Sequence, residues 1–244
     1  MSESTGDGTL DQLSVAAQLV GAVPGVGDGL GYLRAYYRHV PQDELAPAPR
    51  LAAVAAEHAR LARRRPPGQA ALGVRARGVG ADGEDPASLD PGSDVIDIVT
   101  DDMPFLVDSI TMELARHGLS ARRIVHPQLR VRRTGDGAIV GVAGLVNGAE
   151  PPLDELAESW MHIEVARLAD AEAKILADDL QRILRDVRAA VEDSGRMRAQ
   201  AVSLAHALAR GTGSPDRAGG PDAEMADLLT WLGQGRFTFL GYRD

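Results

Sequence analysis

The chain has 244 residues, with 35 acidic against 26 basic side chains and a net charge of −9. That balance argues against a general nucleic-acid binder, because phosphate contact needs clustered basic charge. No cysteine is present, which removes disulfides, thiolate nucleophiles and cysteine-ligated metals. Apolar residues make up 44% but aromatics only 4%, so a lean, alanine-rich core is expected. Nearly all the basic residues are arginine, Lys174 being the only lysine. The polar, acidic start from Met1 to Asp7 carries no signal-peptide pattern. No apolar run approaches the roughly 20 residues of a membrane helix. A soluble, cytoplasmic chain without a membrane partner is therefore expected.

In chain order, Leu10–Val20 has helical spacing, with Thr9 as its expected N-cap. Ala22–Gly31 is glycine-rich and predicts a loop. Tyr32–His39 predicts a short aromatic helix, and Arg50–Arg64 an alanine-rich helix stopped by Pro66 and Pro67. Leu72–Val79 is strand-like, and Gly80–Ser93 predicts an acidic, flexible loop. Val95–Val99 predicts a strand that leads into Thr100-Asp101-Asp102-Met103-Pro104. Leu106, Ile110 and Leu114 then mark one face of a helix that stops at His117-Gly118.

Leu119–His126 and Leu129–Arg133 are strand-like and interrupted at Pro127; with Ala138–Val146 they predict a hairpin about the turn Thr134–Gly137. Ser159–Val165 alternates, with Trp160, His162 and Glu164 on one side. Ala169–Val191 predicts a long helix with Ile175, Leu176, Leu180, Ile183, Leu184 and Val187 inward. Met197–Leu208 predicts another helix, Ala223–Leu232 a short one, and Arg236–Leu240 a last strand without a partner, so the chain reads as cut rather than finished. The expected fold class is α+β, a ferredoxin-like antiparallel sheet with helices on one face plus flanking helices. Two points do not fit that scheme. Ser159–Val165 reads as an extra strand, and no closing strand is visible between Glu192 and Gly235.

The motifs are weak carriers of chemistry. Gly25–Gly31 has the glycines of a phosphate loop but not their register, since Leu30, Tyr32 or Arg34 falls where the last glycine is needed. Asp101 and Asp102 are read as helix-capping charge, against a metal or acid–base pair with Asp108. His117, His126 and His162 lack the spacing of a helical zinc site. Ser109 lacks a nucleophile-elbow context. Arg122, Arg123, Arg130, Arg132 and Arg133 read first as a solvated face and second as an anion site. Arg130 and Arg132 should share one face and Arg133 the other, and the hairpin sequence supplies no pocket. No catalytic, cofactor-binding or metal residue is assigned.

Several segments together resemble the N-terminal region of the large bacterial NAD-dependent glutamate dehydrogenases. They are Tyr36–Val40, Val99–Ser109, Val125–Leu129, Glu158–Glu164 and Phe237–Tyr242. The resemblance implies a module similar to ACT domains, small regulatory units of ferredoxin-like fold, with the dehydrogenase domain far downstream. It divides the chain into an N-terminal helical segment (1–79), a flexible loop (80–93), an ACT-like regulatory domain (94–193), a helical connector (194–235) and the start of a following module (236–244). It implies no cofactor in this chain and NAD for the full-length enzyme, which deaminates glutamate oxidatively to 2-oxoglutarate. The partners expected are the downstream domains of the same enzyme, a homo-oligomer and an amino-acid effector. The loop Asp101–Pro104 departs from amino-acid-binding ACT domains, which commonly place glycine there, and this counts against a ligand at that loop. No activity is expected of the chain alone. The alternatives are a stand-alone small-molecule sensor or interaction module, and an enzyme using Asp101, Asp102, Asp108 and a histidine with a divalent metal.

Overall fold

A computed structural model describes residues 7–20, 25–76, 85–90, 92–146, 152–211 and 220–236. The helices are α1 (Asp7–Val20), α2 (Gly29–Tyr36), α3 (Ala48–Leu61), α4 (Leu106–Arg116), α5 (Asp170–Gly211) and α6 (Pro221–Trp231). The strands are β1 (Ala71–Arg75), β2 (Asp94–Asp101), β3 (Arg123–Val125), β4 (Gln128–Arg133), β5 (Ile139–Leu145) and β6 (Leu156–Val165). They form two compact units, Met1–Arg185 and Asp186–Asp244.

The first unit is built on an antiparallel sheet of order β1-β2-β6-β4-β5, with β3 also on β6. β6 is its centre. It pairs with the whole of β2, from Asp94↔Val165 to Asp101↔Glu158. Its other edge takes β3 and then β4. The break between β3 and β4 is His126-Pro127, where proline has no N–H to give, and the Pro127 carbonyl accepts from Trp160 N at 3.0 Å. The strand Ser159–Val165 is thus not an addition. The addition is β5, which lies outside β4.

The missing closing strand has a different origin from the one expected. In a ferredoxin-like sheet it would follow the second helix and lie beside the first strand. Here β1, from ahead of the module, occupies that place antiparallel to β2. α1, α2, α3 and β1 therefore share one core with the rest of the sheet.

Alternation assigns the two faces of the sheet. One carries Val99, Trp160, Val125, Leu129 and Val131. It packs against α1, α2 and α3 through Ala16, Leu33, Tyr36, Leu51, Val54 and Ala55, all buried. The other carries Ile96, Ile98, Met161, Ile163 and Val165, all buried. α4 supplies Leu106, Ile110 and Leu114, and α5 supplies Leu176 and Leu180, again buried. The fold class is the α+β ferredoxin-like one, with α4 and α5 on one face of the sheet and the flanking helices α1, α2 and α3 on the other.

Local differences from the sequence reading have local causes. α1 begins at Asp7, two residues before Thr9, so Thr9 is not its cap. α2 begins inside the glycine-rich stretch because the Asp28 carboxylate accepts from Leu30 N (3.2 Å) and Gly31 N (2.9 Å). α4 ends as expected at His117, with Gly118 at φ +71°. α5 is one helix through Gly195, where a break was expected. Ile175, expected inward, is 57% exposed. The expected strand Arg236–Leu240 lies outside the described residues apart from Arg236, which closes a π-helical turn, Leu232–Arg236.

Candidate functional site

The sheet face beneath α2 and α3 carries charged side chains at core positions. The same alternation that buries Val99 and Trp160 buries Asp97, His162, Glu164 and Glu158. A buried charge costs several kcal/mol unless it is paired, and each of these is paired.

Asp97 is the hub of the first network. Its Oδ1 lies 2.7 Å from His162 Nδ1 and 3.9 Å from His58 Nδ1, and Arg75 from β1 holds its Oδ2. His162 Nε2 meets Glu164 Oε1 at 3.1 Å. That same oxygen accepts from Ser88 Oγ at 3.0 Å and from Leu89 N. His58 stands 2.6 Å from the Tyr36 hydroxyl and 3.1 Å from the Ile98 carbonyl.

The two histidines respond to burial in opposite ways. Burial lowers the pKa of His58 to about 4, which Asp97 only partly offsets. Burial would also lower that of His162, but Asp97 and Glu164 on its two nitrogens raise it to about 9. Asp97, which burial alone would raise, is held well below the usual carboxylate range by His162, His58 and Arg75. At neutral pH the network therefore holds an imidazolium on a carboxylate beside a neutral imidazole. It also fastens the described part of the acidic loop. Arg75 bonds Asp85 Oδ2 (3.1 Å) and the Ala87 carbonyl (3.0 Å), and Arg50 bonds the Ser88 carbonyl (3.0 Å).

A second network lies on the same face, beyond Val99 and Trp160. Glu158 accepts from Arg65 Nε (3.0 Å), Arg133 Nε (2.6 Å), Arg133 Nη2 (2.9 Å) and Trp160 Nε1 (3.0 Å). Arg65 also holds Asp101, and the Arg133 Nη1 bonds the carbonyls of Ala62 and Gly137. Arg133 is therefore a core residue and not part of a solvated face. Arg130 pairs at 3.6 Å with Glu155 and Arg132 is exposed. The expected capping role of Asp101 and Asp102 is overturned. The N-terminus of α4 has no side-chain cap, and Phe105 precedes it at φ 70°. Asp102 instead accepts from Ser159 Oγ (2.6 Å) and Gln128 Nε2 (3.0 Å), and His126 Nε2 lies 3.0 Å from Ser159 Oγ.

Beside the second network is a cleft of about 360 Å³, lined by Arg65, Pro67, Gly68, Asp101, Arg133, the turn Thr134, Gly135 and Gly137, and Leu153, Asp154 and Leu156. The hairpin alone supplies no pocket; Pro67-Gly68 and Leu153–Leu156 close one against it. Gly137 is required there. At φ +85°, a Cβ on it would lie 2.1 Å from the Arg65 carbonyl.

Glu113 and His117 on α4 and Asp179 on α5 form, among the described residues, the group with the spacing to hold a metal ion. Arginines already occupy it. Arg116 bonds Glu113 (3.0 Å) and Asp179 (2.7 Å), and Arg182 bonds Asp179 (3.0 Å). The hydrogen bond from Arg116 keeps the carboxyl of Glu113 below its ordinary range. The cluster thus ties α4 to α5. The structure brings neither Asp108 nor Ser109 to any of these groups; Asp108 lies in the first turn of α4.

The profile of the glutamate dehydrogenase ACT1 domain matches residues 32–180, which hold the whole sheet. The chain belongs to this family. It is 38% identical over 149 residues to an NAD-specific glutamate dehydrogenase of Halomonas elongata, covering 60% of this chain and 9% of that protein. To the Mycobacterium tuberculosis protein of the same description it is 30% identical over 191 residues, covering 76% of this chain and 11% of that one. For Pseudomonas aeruginosa the figures are 33% over 153 residues, 61% and 9%. The chain thus spans about a tenth of the length of these relatives. Among the described residues, no helix is long and apolar enough to cross a membrane.

Proposed function

We propose that this chain is a non-catalytic regulatory and assembly region of a cytoplasmic NAD-dependent glutamate dehydrogenase. The observation that carries this reading is the ACT1 match across the entire sheet. The site chemistry supports it. Asp97, Asp101, Asp102, Glu158, Glu164, His126 and His162 are each held by another protein group. A general acid or base must instead reach its substrate. Turnover of glutamate with NAD belongs, on this reading, to the downstream domains of the full-length enzyme.

An amino-acid effector fits the cleft at the end of β2 best. Its lining sets the carboxylates of Asp101 and Asp154 beside the apolar Pro67, Leu153 and Leu156, over Arg65 and Arg133, whose guanidinium groups are buried and held by Glu158 and Asp101. Leu153 is fully exposed, so Leu153→Trp narrows the mouth without touching the core. Two measurements on the 244-residue chain test the reading. A glutamate-dependent NAD-reduction assay should show no turnover; steady turnover that a point change in this chain abolishes would overturn it. Calorimetric titration with a panel of amino acids should give one binder that Leu153→Trp weakens about tenfold, roughly 1.4 kcal/mol. Arg132→Ala, outside the cleft, should leave that binding unchanged. An unaltered affinity in Leu153→Trp would remove the effector from this cleft.

A further inference from the structure

Glu113 and His117 stand four residues apart on α4 and so share one face. Helical metal sites use that spacing, here with a carboxylate in place of a second histidine. A search for paired histidines passes over it. Asp179 joins them from α5, 62 residues beyond His117. His117 Nε2 lies 3.4 Å from Glu113 Oε1 and 3.0 Å from Asp179 Oδ2, and all three atoms lie within 4.8 Å of one another. Bonds of about 2.0–2.2 Å to one zinc ion hold neighbouring ligand atoms roughly 3–3.5 Å apart. The group therefore already has nearly the dimensions of a coordination shell. One imidazole nitrogen and two carboxylate oxygens suit a divalent transition metal, whereas magnesium and calcium favour oxygen alone.

Two further observations separate this group from a solvated acidic patch. The first is how its charge is compensated. The Glu113 side chain is only 5% exposed, and a buried carboxylate needs a cation beside it. Arg116 Nη2 supplies one, 2.5 Å from Glu113 Oε1 and 2.7 Å from Asp179 Oδ2. A positive charge thus sits between two of the three ligand atoms. The Arg116 and Arg182 side chains are 57% and 45% exposed, and ion pairs that solvent reaches are weak. Both arginines can swing out at little cost and leave the same carboxylates to a metal. The second observation is space. A cavity of about 180 Å³ has His117 in its wall, beside Leu119, Leu168, Ile175 and Leu176. It is large enough for water, which would fill the coordination positions that three protein ligands leave open.

We propose that Glu113, His117 and Asp179 form a divalent-metal site, best matched by zinc, that clamps α4 to α5, and that Arg116 and Arg182 take the place of the metal in its absence. The site shares no residue with the cleft beside Glu158 and does not depend on the regulatory reading.

Calorimetric titration of zinc into the metal-stripped 244-residue chain, free of any affinity tag, tests it. One zinc ion should bind per chain, in the micromolar range or tighter, and equimolar magnesium should not compete. Cobalt is a second probe, because its visible absorption bands report the ligand shell. His117→Gln and Asp179→Asn should each weaken zinc binding at least about tenfold and abolish the cobalt bands. Both side chains are partly exposed, and circular dichroism checks that the variants stay folded. Arg116→Ala should act in the opposite direction. It removes a competing cation, so zinc should bind roughly fivefold more tightly, the effect of one screened unit charge about 4 Å away. A cluster that serves only to join two helices gives no such gain. Three results would each overturn the site: no zinc binding in the micromolar range, binding that both ligand substitutions leave unchanged, or binding that Arg116→Ala fails to tighten. The second would mean adventitious zinc on the other histidines.

Discussion

The two buried histidines make stability depend on pH in opposite directions. The folded pKa of His162 is about 9, above its ordinary value of 6.5. Between those values the folded chain keeps a proton that the unfolded chain has lost. The contribution of His162 is therefore complete below about pH 6.5 and disappears as pH rises to about 9. The folded pKa of His58 is about 4. Between pH 6.5 and 4 the unfolded chain takes up a proton that the folded chain refuses, so stability falls as the solution is acidified. At roughly 1.4 kcal/mol per pH unit, each limb amounts to about 3 kcal/mol. Urea denaturation at pH 5, 6.5 and 8.5, at constant ionic strength, should give a maximum near pH 6.5. His162→Gln should remove the alkaline limb while leaving the acid one, and His58→Gln should flatten the fall between pH 6.5 and 4. A wild type whose stability is level from pH 6.5 to 9, or a His162→Gln variant with the same alkaline slope, would show that His162 carries no proton and that the Asp97 pair is not an ion pair.

Glu158→Gln removes the shared carboxylate of Arg65 and Arg133 and leaves two buried guanidinium groups short of their counter-charge. Chemical denaturation should show a loss of about 3–5 kcal/mol, and a loss under about half a kcal/mol would mean that solvent replaces the pair. Leu114→Ala empties a fully buried position on α4 and should cost about 2–5 kcal/mol in the same measurement; a surface-sized change would mean that this face of α4 is not core.

The elements with a strong period were legible in the chain itself. Leu106, Ile110 and Leu114 repeat at helical spacing, and Gly118 can take the positive φ that ends a helix, so α4 and its stop follow from local chemistry. The hairpin β4–β5 follows from Thr134–Gly137 for the same reason. The resemblance carried by Val99–Ser109 and Glu158–Glu164 was also readable, because those segments hold the end of β2 with the start of α4 and most of the central strand β6. What the chain could not show is which strand closes the sheet. β1 pairs with β2 through backbone groups that every residue carries, and a short half-buried strand leaves little trace in side-chain pattern. The role of the charged residues was equally out of reach. Asp97 and Glu164 stand at inward positions, a local sign that something must neutralise them. Asp97 finds Arg75, His58 and His162, and Glu164 finds Ser88 and Leu89, on segments tens of residues away, as Glu158 finds Arg65. Only the tertiary structure brings Arg65 and Arg133 onto one carboxylate, because an ion pair depends on distance in space and not on separation along the chain.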